Sequence, residues 1–358
     1  MAKQIAPAEQ LCGRILKDGW KVIERVQYPP GTKQSGGNFS VGYLAESESG
    51  ERGFLKAFDY TRAFREHPPA AALLEMTSKI EFERKLYSQC QRLDRIVSAV
   101  SQGATRIDDT DLGTVEYVIF ELAEQDIRHQ LDAVDKLDIA FRLIVLHDTA
   151  TALQQLHKAQ IVHQDMKPSN VLYFGKKGSK IGDLGSASHL AIPGPWDEMI
   201  WAGDWNYAPP EFQYGFQEPD VVRRRLCGDL FTLGSMAIFC FGGVALTPEL
   251  MRRLAVDHRP PRWQGSWTGS FDDVLPYLSH AFFPAVDEAL SGTPEGDIRR
   301  GVNDICLQLC EPDPRRRGDR QSILSGRPSL SLERFISRFD LLAKKAQFGV
   351  VRLNAKNG

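Results

Sequence analysis

The sequence predicts an α+β protein, with a strand-rich first third and a mainly helical remainder. Three short apolar runs between Trp20 and Phe58 are separated by residues typical of turns, such as Gly36-Gly37. Beyond Glu121, apolar residues recur at intervals of three and four, which is the spacing of amphipathic helices. Strands followed by a run of helices indicate two lobes, and a cleft between lobes is a favoured place for a ligand.

The predicted elements follow one another in a simple order. Short strands near residues 20–23, 39–45 and 53–58 form two antiparallel hairpins, and residues 70–93 form a helix. Strands at 96–104 and 115–120 come next, separated by a turn-rich segment. Later helices are expected at 143–157, 230–246, 272–290, 297–310 and 331–345.

Composition excludes one class of partner. The 358 residues include 42% hydrophobic and 25% charged side chains, as in ordinary soluble globular proteins. The formal net charge is −2, whereas a general nucleic-acid binder would carry a basic excess, so no nucleic-acid partner is expected. The arginine runs at 223–225 and 315–317 are interpreted as solvated or ion-paired surface, with contact to an anionic partner as the alternative.

Cysteine usage and apolar segments predict a cytoplasmic protein without a membrane span. The six cysteines lack paired C-x-x-C spacing, which fits a reducing compartment. The first residues contain no long apolar core and do not resemble a secretion signal. Residues 230–246 are at the short limit for a membrane span, but their glycines and the flanking Asp229 favour a buried core helix.

Two short segments carry most of the chemistry. The first is His163-Gln-Asp165-Met-Lys167-Pro-Ser-Asn170, and the second, thirteen residues after Asn170, is Asp183-Leu-Gly. Together they supply two carboxylates, an amine and an amide. This set suits a metal-bound triphosphate beside a hydroxyl nucleophile, because one acid accepts the proton, the other acid and the amide hold metal, and the amine offsets phosphoryl charge.

The spacing from Asp165 to Asn170 matches the H-R-D-x-x-x-x-N catalytic loop of protein kinases, and Asp183-Leu-Gly resembles their D-F-G. Three later segments resemble the same family in the correct order, namely 203–211 (G-T-x-x-Y-x-A-P-E), 229–234 (D-x-W-S-x-G) and 313–317 (D-P-x-x-R). The chain thus resembles eukaryotic-type protein kinases over roughly residues 20–325. The resemblance implies a bilobal fold, with a small antiparallel N-lobe containing helix C and a mainly helical C-lobe. It also implies ATP, Mg²⁺ and a protein substrate.

On this resemblance the chain divides into four parts. Residues 1–18 form an N-terminal extension, 19–120 the N-lobe and 121–330 the C-lobe, while 331–358 form a helix and tail that pack on or trail the C-lobe. Arg317 would pair with Glu211 inside the C-lobe.

Lys56 and Glu83 resemble the strand lysine and the helix-C glutamate of the family, an ion pair that holds the lysine on the α- and β-phosphates. A lone lysine on an edge strand is the alternative for Lys56. Glu81 competes with Glu83. Helical phase favours Glu83, because it shares the apolar face of its helix, whereas Glu81 lies about 200° away.

Nucleotide contacts are also expected from a glycine-rich loop and a hinge. Gly36, Gly37 and Ser40 resemble the loop whose backbone N–H groups approach phosphate oxygens, although two family glycines are replaced by serine and an ordinary hairpin turn is the alternative. Glu121 and Ala123 resemble the hinge that holds the adenine edge, preceded by Phe120 at the gatekeeper position. The alternative for this segment is simply a strand end.

The resemblance assigns the remaining roles by position. Asp165 orients the substrate hydroxyl and accepts its proton, and Lys167 contacts the γ-phosphate. Asn170 and Asp183 hold magnesium. A lysine at position 167 is typical of the serine/threonine branch of the family.

Beyond the glycine-rich loop, Gln164 and Asp204 also depart from the family pattern. Gln164 replaces the H-R-D arginine that normally meets a phosphate on the activation segment, so switching by phosphorylation of that segment is not expected. The segment contains Ser186 and Ser188 but no threonine. Asp204 replaces the usual threonine, and its carboxylate is expected either to pair with Lys167 or to repel the phosphate.

Three interpretations of function follow. The first is an active ATP- and magnesium-dependent protein kinase directed at serine or threonine. The second is a pseudokinase that binds or scaffolds partners, favoured by the degraded glycine loop and by the residues at positions 164 and 204. The third is a small-molecule phosphotransferase, which Lys167, Asp183-Leu-Gly and the Glu211/Arg317 pair disfavour.

Overall fold

The computed structural model describes residues 6–27, 40–107, 113–133 and 138–356. It confirms the predicted α+β class, with an antiparallel sheet in the N-terminal region and helices in the C-terminal region. The chain forms two compact units. The sheet unit comprises Met1–Glu124 and Gly182–Gly185, and the helical unit comprises Gln125–Ile181 and Ser186–Gly358.

The sheet unit is built on five antiparallel strands in the order β1-β2-β3-β5-β4. The predicted strand–strand–strand–helix order is present. The central strands β3 and β5 each contain four consecutive buried positions, which is typical of strands covered on both faces. The strands are β1 (Lys21–Arg25), β2 (Ser40–Glu46), β3 (Arg52–Phe58), β4 (Ala99–Arg106) and β5 (Thr114–Glu121), and the helix is α1 (Pro69–Cys90).

Residues from the predicted N-terminal extension belong to the core of this unit. Ala8, Leu11 and Leu16 are buried among the sheet's side chains. The hydroxyl of Tyr43 on β2 donates to the backbone oxygen of Ala8 at 2.6 Å. Because this polar contact is buried, it fixes the N-terminal segment against the sheet at one place.

The helical unit contains short strands and most of the helices. Its strands are β6 (Gln125–Asp126), β7 (Ile161–Val162), β8 (Val171–Tyr173), β9 (Ser179–Ile181) and β10 (Ser188–His189). Its helices are α2 (Ile127–Ala133), α3 (Ile139–Lys158), α4 (Pro210–Gln213), α5 (Val221–Gly242), α6 (Leu246–Arg253), α7 (Phe271–Ala289), α8 (Asp297–Leu309), α9 (Arg320–Leu324) and α10 (Glu333–Lys356).

Helix α5 forms the centre of the helical unit, and the prediction for its bounds was wrong at both ends. It begins at Val221 because the Asp220 carboxylate accepts the backbone N–H groups of Val222 and Arg223 and so caps the first turn. It ends at Gly242 because Gly243 adopts φ 72°, a left-handed conformation that glycine tolerates. Within the described residues, α5 alone is long and apolar enough to cross a membrane, but 78% of that apolar stretch is buried inside the protein.

Helix α10 is longer than the predicted 331–345 segment and packs along α3. Phe335, Phe339 and Leu342 face the core of the helical unit and are buried, as the apolar periodicity of the segment indicates. The backbone N–H of Leu332, just before α10, donates to Gln154 on α3 at 3.0 Å. The C-terminal helix is therefore an integral part of the helical unit.

Candidate active site

Lys56, Glu83 and Asp183 come together in the sheet unit. Lys56 lies on β3 with Nζ 2.7 Å from Glu83 Oε1 on α1 and 3.5 Å from Asp183 Oδ1. The side chains of Lys56 and Glu83 are only 11% and 8% exposed, while that of Asp183 is 23% exposed. An ammonium group with three N–H donors thus meets two carboxylates, one of them open to solvent.

Glu83, and not Glu81, faces Lys56. Glu83 is buried on the same side of α1 as Ile80 and Tyr87, whereas Glu81 is exposed. The helical phase read from the apolar residues therefore placed the charged side chain on the correct face. An isolated glutamate would not be buried among apolar neighbours, so the ion pair explains its position.

The charges in this cluster are mutually supporting. Burial alone would lower the pKa of Lys56, but the carboxylates of Glu83 and Asp183 raise it above its ordinary value. Lys56 is therefore protonated throughout the neutral pH range. A fixed positive charge next to a partly exposed carboxylate suits the binding of phosphate together with a cation.

Tyr87 links this cluster to β5, a role that the sequence did not reveal. Its hydroxyl accepts the backbone N–H of Leu184 at 3.3 Å, directly after Asp183. Its ring packs at 4.8 Å from that of Phe120 on β5. The periodicity of α1 marked Tyr87 as a core residue, but only the structure shows that its hydroxyl fixes the segment that carries Asp183.

The residues predicted for the glycine-rich loop and the hinge do not form a charged cluster of this kind in the described part of the chain. Gly36 and Gly37 lie outside the described residues. Ser40 is buried at the start of β2, where it is paired with Phe58 in the sheet. Glu121 ends β5, and its carboxylate accepts the backbone N–H of Ser98 at 2.8 Å. Ala123 follows and is half-buried.

Asp165, Lys167 and Asn170 form a second cluster, in the helical unit. Lys167 Nζ donates to Asp165 Oδ2 at 2.8 Å. The Asn170 amide nitrogen donates to the backbone oxygen of Asp165 at 2.8 Å and to its Oδ2 at 3.2 Å. These contacts hold the Asp165 carboxylate beside the amine within a loop of six residues.

A buried carboxylate fixes the backbone at the start of this loop. Asp229 of α5 accepts the backbone N–H groups of His163 and Gln164 and the Nε2 of His157, each at 2.8 Å. Burial alone would raise the pKa of Asp229, but the hydrogen bonds and positive field of His157, with the other donors, hold it below its ordinary value. His163 is fully buried, as expected of a structural residue. The sequence did not indicate the contribution of His157.

Gln164 binds the segment that follows Asp183-Leu-Gly without any charge. Its Nε2 donates to the backbone oxygen of Ser186 at 2.9 Å and to Ser188 Oγ at 2.7 Å. Ser188 is fully buried on β10, which pairs with β7 directly before His163. A neutral amide therefore occupies the place where the family pattern has an arginine.

Asp204 contacts the second cluster through its backbone. Its N–H donates to Asp165 Oδ1 at 2.7 Å, while its carboxylate accepts the backbone and side-chain amides of Asn206 at 2.9 and 3.0 Å. A Cβ at Gly203 would overlap the backbone oxygen of Gln164, so only glycine allows this approach. The two sequence alternatives for Asp204 did not anticipate an interaction between its carboxylate and Asn206.

The predicted pair of Glu211 and Arg317 is present and fully buried. Arg317 Nη1 and Nη2 donate to the two oxygens of Glu211 at 2.7 and 2.8 Å. Further guanidinium N–H groups donate to backbone oxygens, including those of Cys227 and Glu311. This bidentate arrangement joins the segment after Asp204 to the loop before α9.

The donor atoms suit magnesium, which prefers oxygen ligands. Asn170 donates its amide nitrogen to Asp165, and its side-chain carbonyl oxygen, which accepts the Ser169 hydroxyl at 3.3 Å, is the atom that could also bind a cation. Asp183 adopts φ 58° and offers a partly exposed carboxylate. Asn170 belongs to the helical unit and Asp183 to the sheet unit, as do the two charge clusters around them.

Comparisons with known proteins point to one family. A model of the protein kinase domain matches residues 37–325. The chain is 23% identical over 289 residues to the mitosis inhibitor protein kinase wee1 of Schizosaccharomyces pombe, covering 76% of this chain and 30% of that protein. It is 29% identical over 187 residues to a Wee1-like protein kinase of Arabidopsis thaliana, covering 48% and 34%.

A shorter match links the chain to mitogen-activated protein kinase 17 of Arabidopsis thaliana, at 34% identity over 97 residues, covering 26% of this chain and 20% of that protein. The matched segment thus spans about a third or less of the length of each of these three relatives.

Proposed function

Because this chain belongs to the protein kinase family, we propose that it transfers the γ-phosphoryl group of ATP to a serine or threonine hydroxyl of a protein substrate. The observation that carries the proposal is the Lys56–Glu83 ion pair with Asp183 beside it. Kinase catalysis requires this lysine–glutamate pair and the metal-binding aspartate together. A chain that had lost catalysis would have no need to keep three buried or half-buried charges in contact.

Lys56 binds the α- and β-phosphates in this proposal. Its Nζ has three N–H donors, and Glu83 and Asp183 engage two of them at 2.7 and 3.5 Å. The third donor is available to a phosphate oxygen. Glu83 fixes the direction of the lysine, so the ammonium group is already oriented when the nucleotide binds.

Asp165 acts as the base. Its Oδ1 accepts the N–H of Asp204 and its Oδ2 accepts from Lys167, and these contacts fix the carboxylate. The acceptor hydroxyl donates a hydrogen bond to Asp165. As the hydroxyl oxygen bonds to the γ-phosphorus and the bond to the β–γ bridging oxygen breaks, the proton passes to Asp165 and ADP leaves. Lys167 offsets the negative charge on the phosphoryl group in transfer.

Asn170 and Asp183 would hold Mg²⁺ through oxygen atoms. When bound, the ion neutralises charge on the β- and γ-phosphates. The preference for serine or threonine rests on Lys167, which resembles the serine/threonine branch, and phosphoamino-acid analysis of the product tests it.

The proposed enzyme does not depend on phosphorylation of the segment after Asp183. Gln164 already holds this segment through two neutral hydrogen bonds, at 2.9 and 2.7 Å. A phosphate on Ser188 would have to enter a fully buried position and would find an amide instead of an arginine.

The first test incubates the wild-type chain and the Asp165→Ala variant, each separately, with labelled ATP and Mg²⁺. It measures the label incorporated into the chain itself and into a generic protein mixture. The proposal predicts label that disappears in the variant. A small-molecule phosphotransferase would label neither itself nor the protein mixture. ATP binding without Asp165-dependent transfer to any protein would contradict the proposal. It would leave the small-molecule phosphotransferase and the binding module, the second of which Asp204 and Gln164 favoured on sequence grounds.

A cytoplasmic location completes the proposal. The six cysteines are free thiols, and five of them are buried. Burial raises the pKa of the Cys306 thiol to about 12, which keeps it unreactive. Fractionation of cells that produce the chain tests the location directly.

A further inference from the structure

We infer that Arg262 makes this enzyme select substrates with an acidic side chain close to the phosphorylated residue. The inference rests on the proposed function, because it places the acceptor hydroxyl at Asp165. It names a specificity-determining residue and a substrate class, acidic protein segments. A chain of direct contacts connects Asp165 to Arg262.

The first contact joins Asp165 to the segment that carries Trp205. The N–H of Asp204 donates to Asp165 Oδ1 at 2.7 Å, and Trp205 is the next residue. Trp201 Nε1 donates to the backbone oxygen of Asp204 at 3.3 Å. The backbone N–H and the backbone oxygen of Asp204 are therefore both held by hydrogen bonds. These bonds fix the position at which Trp205 follows, next to Asp165.

Trp205 is held by a second set of contacts. Gln213 Nε2 donates to the backbone oxygen of Trp205 at 2.8 Å, and Trp263 Nε1 donates to Gln213 Oε1 at 3.0 Å. Trp263 lies in the short turn Pro261–Trp263, so the neighbour of Arg262 is tied to the residue that fixes Trp205. The relative position of the two side chains is thus set by the surrounding hydrogen bonds.

Arg262 lies over the ring of Trp205, with its guanidinium carbon 4.0 Å from the ring centroid. This cation–π contact holds the guanidinium without neutralising its charge. Among the described residues, no carboxylate lies within ion-pair distance of Arg262, whereas exposed arginines such as Arg252 and Arg315 are paired with acids. Arg262 is exposed and therefore presents its planar set of N–H donors to solvent.

Distance and charge limit how far from the phosphorylated residue the acidic side chain of the substrate is expected to lie. The contacts from Asp165 to the Arg262 guanidinium span roughly 15 Å or less, which about four residues of extended peptide cover. Asp165 and Asp204 add negative charge next to the acceptor, although the Asp204 carboxylate is engaged by Asn206. An acid directly beside the acceptor is repelled, so the preference is expected two to four residues away.

The test is a positional peptide scan in which glutamate, alanine or lysine occupies each site within four residues of one serine. For the wild-type chain, kcat/KM is expected to be higher with glutamate than with alanine at one such site. Arg262→Gln keeps a planar group without charge and should reduce that ratio about fivefold, the effect of an exposed ion pair. Arg262→Glu should reverse the preference towards lysine. Arg316→Ala, which removes an exposed arginine elsewhere in the helical unit, should keep the wild-type ratio.

Equilibrium binding of the same peptides, followed by fluorescence anisotropy, separates this inference from the proposed function. Phosphorylation that depends on Asp165 but shows no acidic preference, or a preference unchanged in Arg262→Gln, overturns the inference and leaves the kinase proposal intact. If neither the peptides nor the protein mixture of the first test is phosphorylated, the kinase proposal fails. In that case, loss of acidic-peptide binding in Arg262→Gln still supports Arg262 as the recognition residue. Equal binding of the acidic peptides by the wild-type chain and by Arg262→Gln overturns the inference.

Discussion

The two units each contain a buried ion pair, and the pairs differ in how fully the partners satisfy each other. In the helical unit, Arg317 and Glu211 are 0% and 2% exposed and joined by two short hydrogen bonds. In the sheet unit, Lys56 and Glu83 share one contact, and the third member of the cluster, Asp183, is partly exposed. The closed pair has no capacity left for a ligand, while the open pair retains a donor and a carboxylate. Incomplete pairing therefore distinguishes a binding cluster from a structural one.

The largest effect is expected from breaking the closed pair. Arg317→Met leaves the Glu211 carboxylate buried and uncompensated, so the free energy of unfolding should fall by about 3–5 kcal/mol. Urea denaturation measures this change. The double variant Arg317→Met/Glu211→Leu removes both charges and should recover much of the loss. A single variant within about 1 kcal/mol of wild type would show that the pair does not stabilise the helical unit.

Breaking the open pair should instead reduce function. Glu83→Gln removes the charge that orients Lys56, and kcat/KM for ATP should fall about tenfold to a hundredfold, because a hydrogen bond between charged groups contributes about 1.5–3 kcal/mol. The matched control is Glu81→Gln, an exposed position on the same helix, which should retain wild-type kinetics. Equal losses in both variants would contradict the role assigned to Glu83.

The contribution of Asp229 to the free energy of unfolding can be tested by its dependence on pH. Its pKa is lowered in the folded chain, so its contribution is present above the unfolded value near 3.9 and is lost as the pH falls through the folded value. Asp229→Asn should cost about 2 kcal/mol at pH 7 and flatten the stability curve below about pH 4. Denaturation at a series of pH values checks both. Parallel curves for the two proteins would mean that Asp229 does not titrate with folding.

The smallest effect is expected at Ser188. Ser188→Ala removes one acceptor from Gln164 and should lower the free energy of unfolding by about 1 kcal/mol, with kinase activity within about twofold of wild type. Ser186→Ala is the control for the bond to Gln164, because Gln164 binds only the backbone oxygen of Ser186. This variant removes instead the hydrogen bond from Ser186 Oγ to the backbone oxygen of Ala202 at 3.2 Å. Loss of activity in Ser188→Ala together with phosphate on Ser188 in the wild type, detected by mass spectrometry, would contradict switching without phosphorylation.

Sequence predicted what depends on local spacing and on the face of a helix. The loop from Asp165 to Asn170 and the choice of Glu83 over Glu81 follow from intervals of a few residues. The bounds of α5 were missed because the cap at Asp220 lies outside the apolar stretch. The hydrogen bonds of Gln164 depend on tertiary contacts, which no residue pattern specifies. The bond from the Asn206 N–H to the Asp204 carboxylate is local, since the two residues are two apart, and the sequence analysis missed it although aspartate often forms such turns.

Gly203 has a consequence for genetics. Any side chain at this position would displace the backbone oxygen of Gln164 or the Asp165 carboxylate, because the three backbones meet there. On the proposed function, we expect Gly203→Ala to abolish phosphoryl transfer while keeping every charged group of both clusters. Such an allele separates, in a living cell, the effects of phosphoryl transfer from those of merely having the protein present.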